Sequence, residues 1–162
     1  SSLYFAHGMR ATVLILIALF CWSPLGSQAA DGMRIVKTLK HLLDKEGRHS
    51  LSPSLLDRDA YQAQLRDQPD SVSGLRFDVQ LKLSTKSTTP LRLKVEIRHG
   101  SGTTIDTYSA ETTLKQTGRR RLRWGQIAVS GDEYLELGEI IAWRVSLWDG
   151  EAEVSKQESF LW

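Results

Sequence analysis

A regular alternation of apolar and polar residues constrains the fold of this chain more than any other feature. It starts at Leu75 and is repeated from Leu91, and every second position in both segments is apolar. These positions are Leu75, Phe77, Val79, Leu81 and Leu83 in the first segment and Leu91, Leu93, Val95 and Ile97 in the second. Successive side chains of a strand point to opposite faces, so the pattern predicts two strands, each with one buried and one wet face.

Further strands are predicted after these two. Weaker strands are expected over 105–108 and near 112–114, and a short helical turn is expected over 132–138. The strongest apolar stripe consists of Ile141, Trp143, Val145 and Leu147. Asp149-Gly150 is typical of a hairpin turn, after which a last strand runs to Trp162. Six or seven short strands in residues 75–162 predict a mainly β fold, an antiparallel β-sandwich. We expect Trp143 to be almost fully buried in its core.

The end of the chain resembles immunoglobulin-like and fibronectin-type-III-like domains in general. The resemblance rests on Trp143, which stands in a strand that forms a hairpin with the final one, and on Tyr134 as a candidate for a tyrosine corner. It implies an architecture and no particular function. The cysteine pair of antibody domains is missing, because the only cysteine is Cys21.

The strand around Gly125 contains a break in the alternation. Leu122 and Trp124 fall on one phase, whereas Ile127 and Val129 fall on the other. A bulge at Gly125 and the next residue would bring all four apolar side chains to the same side, and glycine permits one. The sequence therefore predicts a bulge here.

Residues 30–74 predict one or two short helices and a linker that precede the sandwich. Helical spacing is found for Ile35, Val36, Leu39, Leu42 and Leu43. Ser52-Pro53 is typical of the start of a second helical segment, which reaches Leu65.

Residues 9–29 have the pattern of a secretory signal peptide. A short basic start at Met9-Arg10 is followed by an apolar run over 11–20 and by small residues at Ser27-Gln28-Ala29. The run is shorter than the ~18 residues that a membrane span needs. We expect a periplasmic or secreted protein that starts at Ala30 or Asp31. The alternative is a protein anchored in the membrane by an uncleaved N-terminal segment. Residues 1–8 precede Met9 and are interpreted as upstream sequence.

The mature chain then lacks cysteine, and the sequence contains no Asn. Disulfides, thiolate chemistry and N-glycosylation are therefore excluded for it, which favours a bacterial envelope protein. The formal net charge of the whole chain is +2, which gives no support for a nucleic-acid partner.

Arginines cluster at the start of the Trp124 strand, where the sequence is most basic. Residues 75–128 carry eleven basic and four acidic side chains, whereas residues 129–162 carry two basic and eight acidic ones. On a strand Arg119, Arg121 and Arg123 share a face and form a candidate anion-binding site. The alternative, which we expect, is that they pair across the sheet with Glu151, Glu153 and Glu158 of the last strand.

Trp148 is the candidate sugar-stacking residue. Its phase is opposite to that of Trp143, so it faces outward or lies beneath another element. An outward tryptophan beside polar groups can stack on a sugar ring, as in carbohydrate-binding sandwiches. The alternative is that the N-terminal helices cover it.

The sequence predicts no catalytic residue, no metal site and no cofactor. The serine-hydrolase elbow, the phosphate-binding glycine loop and close histidine pairs are missing. His41 and His49 would share a ligand only if the chain folded back between them. A carboxylate pair in a cleft stays possible.

These observations predict an exported, non-enzymatic β-sandwich that acts as a binding or structural interaction module of the bacterial envelope. The expected partner is a protein or a polysaccharide, and a membrane only if the signal is uncleaved. The oligomeric state is left open. The alternatives are a carbohydrate-binding module with an exposed tryptophan and a small hydrolase with an unrecognised carboxylate site.

Overall fold

A computed structural model describes residues 32–83, 89–101, 103–115 and 121–162. These ranges contain seven strands, two α-helices and one 3-10 turn. In chain order they are β1 (Arg34–Asp44), α1 (Leu55–Asp67), the 3-10 turn (Pro69–Ser71), β2 (Val72–Lys82), β3 (Leu91–Ser101), β4 (Thr104–Leu114), β5 (Leu122–Ser130), α2 (Asp132–Leu137), β6 (Glu139–Asp149) and β7 (Ala152–Glu158). Neither α-helix in these ranges has the length and apolar character needed to cross a membrane.

The strands form two antiparallel sheets. The three-stranded sheet has the order β1-β2-β5, and the four-stranded sheet has the order β4-β3-β6-β7. A mainly β fold with antiparallel sheets, as the alternation predicts, is confirmed. β4 is one continuous strand where two weak strands are predicted, and β7 ends at Glu158 rather than at Trp162.

One hydrophobic core is formed by residues of both sheets. The apolar positions of β2 and β3 are its centre, as predicted, and Phe77, Val79, Leu93 and Val95 have no exposed surface. Trp143 packs against this core, with its ring centroid 5.5 Å from that of Phe77, but it is only partly buried. The prediction of almost full burial for Trp143 is wrong; a ring as large as indole is rarely covered completely.

The predicted first helix is wrong, since its residues form β1. This strand pairs with β2 along its whole length, from Arg34 opposite Lys82 to Asp44 opposite Val72. Apolar residues at helical spacing occur on β1, but the backbone partners that stabilise it come from β2, about forty residues away. The second predicted helix is confirmed as α1, but it begins at Leu55 rather than at Pro53, because the hydroxyl of Ser54 rather than that of Ser52 accepts the first-turn N–H of Asp57, at 3.4 Å.

The predicted bulge in β5 is also wrong. β5 pairs with β2 in unbroken register from Leu122 opposite Lys82 to Ser130 opposite Gly74. Gly125 is the inward residue, and a Cβ atom there would lie 2.6 Å from Leu93 Cδ1 and 2.9 Å from Leu114 Cδ2. Two leucines thus occupy the space that a side chain at position 125 would need, so β5 keeps its alternation and Trp124 faces outward.

Helix α1 covers the edge of β1 through one buried side chain. The Gln62 amide oxygen accepts the N–H of Leu42 at 2.8 Å, and its nitrogen donates to the carbonyls of Leu42 at 2.9 Å and His49 at 2.8 Å. Gln62 thus replaces a neighbouring strand at this edge. It also fixes the loop that carries His49.

Asp44, at the end of β1, holds the same loop. Its buried carboxylate accepts the N–H groups of Glu46 and Arg48, the Arg48 guanidinium at 2.8 Å and the Tyr61 hydroxyl at 2.6 Å. Burial by itself raises the pKa of Asp44. The hydrogen bonds from Tyr61 and Arg48 outweigh it and hold the pKa at about 2, below the ordinary 3.8.

Candidate functional site

The outward side of the three-stranded sheet carries four rows of side chains, which we call the basic face. Residues directly opposite one another in antiparallel strands lie on the same side of the sheet. From one end of the sheet to the other, the rows on β1, β2 and β5 are Arg34–Lys82–Leu122, Lys37–Gln80–Trp124, Leu39–Asp78–Gln126 and His41–Arg76–Ala128.

Three cations of the basic face lack acidic partners. Arg34, Lys37 and Lys82 form no ion pair with any residue of the described ranges. Arg34 and Lys82 are directly opposite each other, and such a like-charged pair destabilises a sheet. The arrangement therefore costs stability and leaves a local excess of positive charge on this face.

Trp124 lies on this face next to the cations. It is 52% exposed, and Gln80 stands directly opposite it on β2. Two depressions meet at its ring: a shallow one of about 320 Å³ reaches His41 and Asp78, and another of about 460 Å³ is lined by β4 and β5 residues such as Thr112. An exposed indole between polar groups is suited to stacking on a flat, partly polar ligand.

The shallow depression ends at a buried, hydrogen-bonded pair, His41 and Asp78. His41 Nδ1 and Asp78 Oδ2 are 2.8 Å apart, and both residues are buried. The Arg76 guanidinium donates to the same oxygen from Nη2 at 2.9 Å and from Nε at 3.2 Å. Burial by itself raises the pKa of Asp78, but the hydrogen bonds from His41 and Arg76 outweigh it and lower the pKa. Asp78 is therefore held as a carboxylate.

His49 completes a cluster with this pair, which we call the His41–His49–Asp78 cluster. The two imidazole centroids are 5.0 Å apart, and one potential ligand atom from each of the three residues lies within 4.8 Å of the others. Burial and the positive charge of Arg76 lower the pKa of His49. The neutral imidazole, the form that binds metals, is therefore favoured.

The sequence pattern did not reveal this cluster because the fold-back it needs was not predicted. The chain reverses between Asp44 and Arg48: the Asp44 N–H donates to the Arg48 carbonyl at 3.0 Å, and Gly47 takes the left-handed φ of +75°. The reversal returns His49 onto His41. Asp44 and Gly47, which are turn residues three apart, were the available signal.

Of the predicted row of Arg119, Arg121 and Arg123, the structure describes the last two. Arg119 lies outside the described residues. Arg121 precedes β5 and its carbonyl accepts the Leu83 N–H at 2.7 Å, while Arg123 has the inward phase and donates to the Lys115 carbonyl at 3.2 Å. For Arg121 and Arg123 the expected pairing across the sheet with Glu151, Glu153 and Glu158 is wrong, because β5 and β7 belong to different sheets.

Opposite charges do pair across the four-stranded sheet, on its outward side. Arg144 contacts Glu96 at 2.7 Å, and Arg92 contacts Glu111 at 3.0 Å.

Trp148, the candidate sugar-stacking residue, lies on the outward side of the four-stranded sheet. It is half-buried, and its Nε1 donates to Ser146 Oγ at 2.8 Å. The described tryptophan that is most accessible to a ligand is thus Trp124.

The depression beside Trp124 is lined mainly by charged, polar and aromatic side chains. Among the described residues its lining consists of Leu39, His41, His49, Arg58, Arg76, Asp78, Trp124 and Gln126. These side chains can donate and accept hydrogen bonds and compensate negative charge. Comparison with known proteins gives no match, since no protein-family model, curated protein or solved structure is significantly similar to this chain.

Proposed function

We propose that this chain is an exported, non-enzymatic binding module of the bacterial envelope, and that its basic face binds an anionic polysaccharide. The observation that carries the proposal is the presence of Arg34, Lys37 and Lys82, without acidic partners in the described ranges, on the same face as the half-exposed Trp124. The indole stacks on a sugar ring, and the cations pair with its carboxylate or sulfate groups.

Two features of the lining support a binding role over catalysis. His41 and Asp78 are hydrogen-bonded as in a catalytic triad, but the described residues that line the depression include no hydroxyl or thiol nucleophile. Glycoside hydrolysis by the usual route needs two carboxyl groups, and Asp78 supplies the single carboxylate among these described lining residues.

The location is supported by the signal-peptide pattern of residues 9–29. A mature chain without cysteine and Asn fits a periplasmic or secreted protein of a bacterium. A polysaccharide partner fits that location, and a membrane contact follows only if the N-terminal segment stays uncleaved.

We further propose that the sheets form a sandwich of the immunoglobulin-like or fibronectin-type-III-like kind. Lettered in chain order as A, B, C, C′, E, F and G, the seven strands give sheets ABE and C′CFG. Immunoglobulin-type sandwiches likewise separate A, B and E from C, F and G, and variable domains add C′ to the second sheet. Tyr134 lies in α2, between strands E and F, and is a candidate for the tyrosine corner.

The test compares two triple variants that remove the same charges from opposite faces. Arg34→Gln, Lys37→Gln and Lys82→Gln together should abolish retention on immobilised heparin or alginate. The matched control, Lys94→Gln, Arg98→Gln and Lys156→Gln, changes one arginine and two lysines on the four-stranded sheet and should keep retention. Because exposed charges are screened over ~8–10 Å at physiological ionic strength, wild-type retention should weaken steeply with salt. Equal losses in both variants would contradict the proposal.

Trp124 gives an independent test of sugar stacking. Trp124→Ala should weaken alginate binding about tenfold, the effect of losing ~1.4 kcal/mol from a central contact. Trp148→Phe, on the other sheet, is the control and should bind as the wild type does. Unchanged binding by Trp124→Ala would contradict sugar stacking and would mean that only the charges of the basic face bind the ligand. Salt-independent binding of a neutral glucan would instead indicate a module that binds neutral sugars.

A further inference from the structure

We infer that the His41–His49–Asp78 cluster binds a divalent transition-metal ion of the Zn²⁺, Ni²⁺ or Cu²⁺ kind. The two imidazoles are the nitrogen ligands, and Asp78 orients His41 and supplies the negative charge. The inference is independent of polysaccharide binding, although the cluster lies at one end of the basic face.

The distances suit an ion after small side-chain movements. One ligand atom from each residue lies within 4.8 Å of the other two. Two ligands at 2.0–2.1 Å from a tetrahedral Zn²⁺ are roughly 3.3 Å apart, so the two imidazoles have to come closer to each other by about 1.5 Å or less. His49 can make this movement, because it stands on a loop and its side chain forms no hydrogen bond with the described residues.

The hydrogen bond of His41 prepares its ring for a metal. His41 Nδ1 and Asp78 Oδ2 are 2.8 Å apart, and in the tautomer that donates from Nδ1 the other nitrogen, Nε2, carries the lone pair that can bind a metal. Metal-binding histidines usually donate their other nitrogen to a carboxylate, which fixes the tautomer and makes the ring more basic. Asp78 is in turn fixed by Arg76.

The two guanidinium groups near the cluster are already paired with carboxylates. Arg76 contacts Asp78 at 2.9 Å and Arg58 contacts Asp59 at 2.8 Å, which reduces their repulsion of a cation. Imidazole ligands prefer Zn²⁺, Ni²⁺ and Cu²⁺, whereas Mg²⁺ and Ca²⁺ need several oxygens. The cluster should therefore discriminate between these two groups of ions.

Titration calorimetry of the full, untagged chain with Zn²⁺ tests the inference. All proteins carry Cys21→Ser, because a thiolate is a strong zinc ligand. His49→Gln should weaken Zn²⁺ binding at least tenfold, and Asp78→Asn should weaken it about 10–100-fold, the usual effect of losing an orienting partner. His99→Gln is the matched control and should bind as the parent does, since His99 lies outside the cluster and contacts the Leu137 carbonyl. Mg²⁺ should produce no binding heat.

Two outcomes would overturn the inference: equal Zn²⁺ affinity in the parent and His49→Gln, or no Zn²⁺ binding by the parent at millimolar concentration. Because the His49 side chain has no hydrogen bond to lose, circular dichroism of His49→Gln should equal that of the parent. The variant with Arg34→Gln, Lys37→Gln and Lys82→Gln should keep the Zn²⁺ affinity of the parent, because none of these residues belongs to the cluster, so the metal site and the proposed function can fail separately.

Discussion

At the scale of single residues, Gly125 decides which way β5 faces. Its missing side chain admits Leu93 and Leu114 from the opposite sheet, and it thereby places its neighbour Trp124 outside. If all the apolar residues of the segment faced the core, the tryptophan would lie inside. The tryptophan instead faces outward, because the two leucines already fill the inward position.

Gly125→Ala should therefore lower the free energy of unfolding by ~1–3 kcal/mol, the usual cost of adding a methyl group to a filled core. Urea denaturation of wild type and variant measures the difference. Gln126→Ala, at the next and outward position, is the control and should stay close to wild type. If Gly125→Ala is as stable as wild type, Leu93 and Leu114 do not occupy the position.

Asp44 should make stability depend on pH in the acid range. Its pKa in the folded chain is about 2, below the ordinary 3.8, so its contribution is complete above about pH 4 and is lost as pH falls toward 2. Urea denaturation between pH 2 and pH 7 should show this loss in wild type. Asp44→Asn should be less stable at neutral pH and should show a smaller loss on acidification. Parallel curves for the two proteins would exclude this role of Asp44.

At the scale of elements, α1 and β1 depend on each other through Gln62. Three hydrogen bonds from one buried amide connect the helix to Leu42 and to the loop at His49. β1 is an edge strand, and these bonds satisfy backbone groups that β2 cannot reach.

Gln62→Ala should lower stability by ~1–3 kcal/mol or more, since it leaves buried backbone groups of Leu42 and His49 without partners. Hydrogen exchange followed by mass spectrometry should show faster exchange in β1 and α1 than in β3 and β6. Gln64→Ala, an exposed position on the same helix, is the control. Uniformly faster exchange in all strands would mean that α1 and β1 unfold only with the whole molecule.

The sequence predicts the central strands correctly because the alternation of apolar and polar residues lies within each strand. β2 and β3 alternate along nearly their whole length, and Ser52-Pro53 indicates the start of α1 to within two residues. β1 could not be predicted in this way, since its apolar residues fit helical spacing and its pairing partner is distant in the chain. The His41–His49–Asp78 cluster could not be predicted for the same reason, because a helix at 35–43 does not place His41 beside Asp78.

At the scale of the whole molecule, the outward sides of the two sheets differ in how their charges are compensated. On the four-stranded sheet, Glu96 and Glu111 pair with arginines. On the three-stranded sheet, Arg34 and Lys82 stand opposite each other without an acidic partner in the described part of the chain. The cost in stability and the proposed binding thus come from the same side chains.

Lys82→Gln should therefore raise stability and weaken binding together. Removing one member of an opposed like-charged pair should raise the free energy of unfolding by ~0.2–1 kcal/mol at low salt, while heparin retention falls. Lys156→Gln, which removes a cation paired with Glu158 at 3.6 Å, should give no such gain. A loss of stability in Lys82→Gln would show that the cation is compensated.

The order of strands in the two sheets also determines how long the chain stays unfolded. The pairings of β1 with β2, β2 with β5 and β3 with β6 join segments distant in the chain, such as Arg34 with Lys82 and Leu91 with Asp149. Folds dominated by such pairings form in milliseconds to seconds, far slower than helical bundles. For the export that we propose, this delay would be useful, since a protein that is threaded through a membrane has to stay extended until it emerges. The same connectivity that builds the basic face would then also give the chain time for the proposed export before that face exists.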